Sequence, residues 1–148
     1  VRLGAGADTA ARYTRAGASQ GEQRSHGFFY RPETEDSGLL GLPVRGPSRP
    51  GWEHLARGSA SVLFLRNDAF RFRELGDLAA DDRADAATAD AGCRGSCVDW
   101  YGNARPLFLR GRIFALLGYE LVEGAVADGR IREVRRASFA PQAVAGGR

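Results

Sequence analysis

The fold turns on Pro106-Leu107-Phe108-Leu109-Arg110-Gly111-Arg112-Ile113-Phe114-Ala115-Leu116-Leu117-Gly118-Tyr119-Glu120-Leu121-Val122. From Ile113 to Val122, apolar side chains fall on both faces of the pleat, as expected of a strand covered on two sides. Gly111 breaks the run and predicts a turn between Pro106-Leu107-Phe108-Leu109-Arg110 and that covered strand. Downstream, Asp128-Gly129 is a strong hairpin signal, because both residues accept the positive φ of a two-residue turn. Residues 130–139 then return as a more polar, Arg-rich strand nearer solvent. Its alternation breaks near Val134, as a β-bulge would break it.

Working toward the N-terminus, Gly27-Phe28-Phe29-Tyr30-Arg31 and Leu39-Leu40-Gly41-Leu42-Pro43-Val44 read as paired strands, with Pro43 marking an edge or a strand end. Gly46-Pro47-Ser48-Arg49-Pro50-Gly51 continues neither a ladder nor a helix. The second hairpin is better specified. Ser61-Val62-Leu63-Phe64-Leu65-Arg66 leads into Asn67-Asp68 as the expected turn, and Phe70 and Phe72 then alternate with Arg71 and Arg73. Residues 78–92 are mostly Ala and Asp without an apolar face, which predicts an exposed loop. It ends at Cys93, Cys97, Trp100 and Tyr101.

The expected organisation is the end of a preceding strand and an irregular connection over 1–26, blade-like hairpins over 27–78, an exposed loop over 79–103, blade-like strands over 104–140 and a flexible tail over 141–148. About seven short strands and no helix define an all-β antiparallel meander. No internal repeat stands out at the 40–45-residue period of a regular WD-type array.

The 148 residues suffice for one domain, and an apolar fraction of 43% with 26% charged residues is that of a globular chain. No apolar run approaches the ~20 residues of a membrane-spanning helix. All 21 basic residues are Arg, which points to a GC-rich coding bias. The net charge of +3 is spread thinly, unlike a nucleic-acid-binding surface. The chain contains no Met and is expected to be cut from a longer frame.

Cys93 and Cys97 are spaced for a local disulfide in an oxidising compartment, which would staple a loop rather than hold a fold. His26 and His54 are the only further soft metal ligands and share no zinc spacing with the cysteines, so no metal and no cofactor is expected. Ser25, His26 and Asp99 or Glu120 can be assembled into a triad only on paper, since nothing in their spacing implies hydrogen-bond reach. Tyr119 and Glu120, read as strand neighbours, should point to opposite faces and not act together. Trp100 and Tyr101 are the candidate ligand-binding residues, able to stack on a sugar or peptide, against the alternative that Trp100 packs between sheets. Arg130, Arg132, Arg135 and Arg136 form a basic group that a solvated outer strand explains.

Several strings together resemble the C-terminal β-propeller domain of a family of secreted bacterial proteins, distantly related to WD-repeat propellers. They are Arg24-Ser25-His26-Gly27-Phe28-Phe29-Tyr30, residues 38–44, Cys97-Val98-Asp99-Trp100-Tyr101-Gly102-Asn103-Ala104-Arg105-Pro106, residues 114–124 and residues 130–141. The resemblance spans residues 12–141. It implies four-stranded antiparallel blades, an exported (secreted or envelope) location and no catalytic residue to carry over. The chain lacks the Gly-His and Trp-Asp marks of the regular repeat and would supply about two blades of a β-propeller. Upstream blades of the same polypeptide are therefore the expected partners, with a protein or carbohydrate ligand, no nucleic acid and no transmembrane segment. The expected function is a non-catalytic scaffold or interaction module. The alternative is an extracytoplasmic hydrolase with most of its active site on other blades.

Overall fold

The computed structural model describes residues 2–3, 6–20, 28–45, 60–80 and 104–139. Among them there is no helix. Eleven strands are present: β1 (Arg2–Leu3), β2 (Ala7–Asp8), β3 (Ser19–Gln20), β4 (Phe29–Pro32), β5 (Ser37–Arg45), β6 (Ala60–Asp68), β7 (Arg71–Ala79), β8 (Ala104–Leu109), β9 (Arg112–Leu117), β10 (Glu120–Ala127) and β11 (Arg130–Ser138). β1 and β2 form a small ribbon. The rest make two antiparallel meanders, β4-β5-β6-β7 and β8-β9-β10-β11, with β3 sharing the outer edge of β5 with β4. The all-β, blade-like meander read from the sequence is the fold observed.

Prolines sit where the ladders leave room for them. β4 pairs β5 from Gly38 to Gly41 and β3 pairs it at Val44 and Arg45, so Pro43 lies in the gap between the two neighbours. Pro106 lies on β8, an edge strand. In both places a missing backbone N–H costs no ladder bond.

Three boundaries differ from the sequence reading, the first being that β7 continues through Leu78 and Ala79 where a loop is expected, because Leu78 is buried in the core. The run from Ile113 to Val122 is two strands, folded at Gly118 (φ 60°) so that Leu117 stands opposite Glu120. The β6–β7 turn falls at Ala69-Phe70, both at positive φ (46° and 62°), while Asn67 and Asp68 remain in β6 opposite Phe72 and Arg71. Local contacts outweigh turn propensity there. Asn67 Nδ2 donates to Tyr30 Oη (3.1 Å) and to the Asp36 carbonyl (3.3 Å), and the Ala69 N–H donates to that same carbonyl (3.0 Å).

The meanders stack face to face, β5 and β6 over β8, and β7 over β11. Leu39, Val62, Phe64, Leu75 and Leu78 from one sheet meet Ile113, Ala115, Leu117, Val122 and Ile131 from the other in one core. Phe64 and Phe108 meet edge to face, with ring centroids 6.3 Å apart. Two glycines let the sheets approach. A Cβ on Gly41 would lie 2.4 Å from Pro106 Cβ, and one on Gly124 would lie 2.8 Å from Leu78 Cδ1.

The registers expose an internal repeat that the sequence alone hides. Each meander has a two-residue turn between its third and fourth strands, then a bulge at the fifth residue of the fourth strand: Leu75 after Ala69-Phe70, Val134 after Asp128-Gly129. This aligns Arg71-Phe72-Arg73-Glu74-Leu75 with Arg130-Ile131-Arg132-Glu133-Val134 at an offset of 59 residues, as in Arg71 with Arg130. The long connection between Ala80 and Ala104 stretches the spacing beyond the period a propeller-type search would use.

Candidate functional site

Superimposing the registers gives each sheet two distinct faces. Opposite residues of an antiparallel pair share a face, so Leu40, Leu63, Leu65 and Phe72 lie together on what we term the back of the β4–β7 sheet, and Leu39, Val62, Phe64 and Leu78 on its front. The repeat makes Leu63 equivalent to Val122 and Phe72 equivalent to Ile131. Val122 and Ile131 are core residues of the seam, so the back of the β8–β11 sheet packs on the front of the β4–β7 sheet. Equivalent faces therefore point the same way. The packing is head-to-tail, not the mirror-like closure of a two-sheet sandwich.

Such stacking uses one face of each sheet. The back of β4–β7 holds a second apolar group, Leu40, Val44, Leu63 and Leu65, against which Tyr13 packs. Residues 11–18 lie there as a strap. The Tyr13 hydroxyl donates to Glu74 Oε2, and Arg15 reaches Glu74 (3.7 Å) and Asp77 (3.8 Å). Burial first, then the bond to Glu74, pushes the Tyr13 phenol up to about 12.

The front of the β8–β11 sheet carries the half-buried Leu107, Leu116 and Leu121 and the buried Phe114, with only Leu109 at 62% exposure and the bulge residue Val134 at 60% standing clear among its apolar side chains. Among the described strands, β4 to β7 pack on the other face of this sheet. Arg112 lies over the Phe114 ring (4.8 Å) and forks onto Glu123, with Nε to Oε1 at 2.7 Å and Nη2 to Oε2 at 2.5 Å. That fork holds the Glu123 carboxyl below the usual glutamate range. Arg132 and Arg135 flank the patch on β11, exposed.

The seam is pinned by arginines at both ends. Arg31 stacks on Phe108 (5.2 Å), donates to the Gly111 carbonyl (3.4 Å) and pairs with Glu33 (2.8 Å), which Arg66 also holds. Arg73 donates to the Gly129 carbonyl (3.2 Å) across the seam. Arg136 bridges from β11 to the Ala79 carbonyl (3.0 Å) and binds Glu120 (2.7 Å) and Glu133 (2.7 Å). Its hydrogen bond to Glu133 leads the causes that raise the guanidinium above its ordinary value.

Placement of the sequence candidates follows from this frame. Glu120 is 3% exposed and spent in the Arg136 pair, a structural rather than a catalytic setting. Tyr119 is a turn residue, not a strand neighbour of Glu120, and its ring meets Phe139 edge to face at 6.3 Å. The basic group on β11 divides: Arg136 faces the seam, while Arg132 and Arg135 face outward with Glu123. Trp100, Tyr101, Cys93, Cys97, Asp99, Ser25, His26 and His54 lie outside the described residues. Among the described residues no group of three or more His, Cys, Asp or Glu is placed to hold a metal ion. The two-faced repeat was missed in the sequence, although the Arg-x-Arg-Glu string shared by β7 and β11 carried the signal.

Compared with protein-family models, with curated proteins and with solved structures, the chain gives no match.

Proposed function

We propose that this chain is a non-catalytic scaffold and interaction module, two neighbouring blades of a β-propeller-like assembly in an extracytoplasmic protein. The observation that supports it most is the head-to-tail relation of the meanders. Stacking of this kind repeats along an arc of sheets and presents their rims as a rigid platform. The carboxylates at the seam and its flanks are engaged by arginines, which suits rigidity better than proton transfer: Glu33 with Arg31 and Arg66, Glu120 and Glu133 with Arg136, and Glu123 with Arg112. The resemblance supplies the exported location, and with it a Cys93–Cys97 disulfide. Free thiols in the unreduced, unfolded chain would remove that bridge.

Ligand contact falls to Trp100 and Tyr101, whose rings suit stacking on sugar or peptide. The test is a glycan and peptide array probed with the purified 148-residue chain, beside the Trp100→Ala and Tyr101→Ala variants. Binding that falls at least tenfold in both variants, with the bound compound recovered intact, is the expected result. Release of cleaved product would favour a hydrolase, and unchanged binding in both variants would move the ligand site elsewhere.

A further inference from the structure

The two outward faces of the stack are complementary to each other. We propose that the front of the β8–β11 sheet is a docking face for the back of the β4–β7 sheet of a second copy of this chain, repeating between molecules the seam found within one. This inference rests on the blade-like reading of the two sheets.

The repeat itself identifies the occupant. Several residues that mate the first sheet to the second keep their chemistry in their counterparts on the front of the second, Val62 in Leu121, Leu75 in Val134 and Arg73 in Arg132, whereas Leu39 and Phe64 correspond to Arg112 and Glu123. Leu75 is 2% exposed at the seam, and its counterpart Val134 is 60% exposed. Arg73 donates to the carbonyl of the turn residue Gly129, and its counterpart Arg132 stands exposed on the front of the second sheet. By the same correspondence, Arg132 would reach the Phe70 carbonyl of the incoming sheet, since Phe70 and Gly129 are equivalent turn residues.

Charge agrees with shape. The fourth strand of the docking face presents Arg132 and Arg135, while the fourth strand on the back of β4–β7 presents Glu74 and Asp77. Within one molecule those two carboxylates are held by Arg15 of the strap. The strap thus occupies the place of the incoming arginines and must yield before docking. The second seam is not a replica of the first. Phe114 stands where Gly41 does, so the contact is led by β11 rather than by β8 and β9.

Because the two surfaces differ, the contact is heterologous, and charge reversal separates it from any self-complementary dimer. Sedimentation velocity over a concentration series of the full 148-residue chain should show growth beyond the monomer. Arg135→Glu, which spoils only the docking face, and Glu74→Arg, which spoils only the receiving face, should each stay monomeric. An equimolar mixture of the two should associate again, because each partner retains one working surface and the two reversed surfaces now carry opposite charges. The double variant Tyr13→Phe, Arg15→Ala, which removes the strap's hydrogen bond to Glu74 and its cation from Glu74 and Asp77, should shift association to at least fivefold lower concentration.

Circular dichroism of each variant separates lost docking from lost folding, Asp77→Arg is the second receiving-face probe if Glu74→Arg unfolds, and Val134→Glu is the second docking-face probe. A chain that stays monomeric, even as the Tyr13→Phe, Arg15→Ala double variant, overturns the proposal and leaves the scaffold reading to the array experiment. Association untouched by Arg135→Glu and Val134→Glu overturns it as well.

Discussion

Gly41 shows how little room the seam allows. A methyl group there would press on the β-carbon of Pro106 at 2.4 Å, a ring that cannot rotate away, whereas at Gly124 the obstacle is the swinging end of Leu78 at 2.8 Å. Gly41→Ala should therefore cost about 1–3 kcal/mol in urea unfolding and Gly124→Ala distinctly less. An equal loss at both would mean that the sheets slide freely. Charge acts at this scale too. The hydrogen bond from Arg31 leads the causes that hold the Glu33 carboxyl below its ordinary value, so the ionised form is favoured by folding. The stabilisation is then present above the unfolded value of about 4.3 and is lost as pH falls through the lower folded value. Wild type should exceed Glu33→Gln in stability at neutral pH, and the gap should close on acidification below about pH 4. A gap independent of pH would assign the loss to packing instead.

At the scale of the hairpin, the β6–β7 turn is built from Ala69 and Phe70, and neither residue favours the left-handed region it occupies. Ala69→Asn should raise stability by about 1 kcal/mol, read as a higher thermal midpoint, because Asn tolerates that backbone far better. No gain would mean that the hydrogen bond to Asp36 already sets the conformation. Asn67-Asp68 looked like the turn because composition records propensity, whereas the turn's place is set by tertiary partners, Tyr30 Oη and the Asp36 carbonyl. Asp128-Gly129 and the irregularity at Val134 were legible because local chemistry and pairing agree there. The fold class came through for the same reason. What stayed hidden was facing: Ile113 to Val122 shows apolar side chains throughout, and only the register tells which of them meet the first meander and which lie outward.

For the molecule as a whole, the question is what joins one meander to the other besides apolar area. Arg136 does so on the β7–β11 side, with Glu120 buried beneath it and the Ala79 carbonyl opposite. Arg136→Met should cost about 3–5 kcal/mol, because it removes the cation paired with a buried carboxylate, while the double variant Arg136→Met, Glu120→Leu should recover a large part of the loss. Additive losses in that cycle would show that the pair acts independently of each other. One consequence follows from the direction of the strands. β4, β6, β8 and β10 all run toward the same side, so the tight turns at 69–70, 110–111 and 128–129 emerge there together, while β7 ends and β8 begins on the opposite side. A tether attached at any of the three would orient the molecule alike on a sensor surface, with Ala79 at the end of β7 and Ala104 at the start of β8 turned toward the analyte.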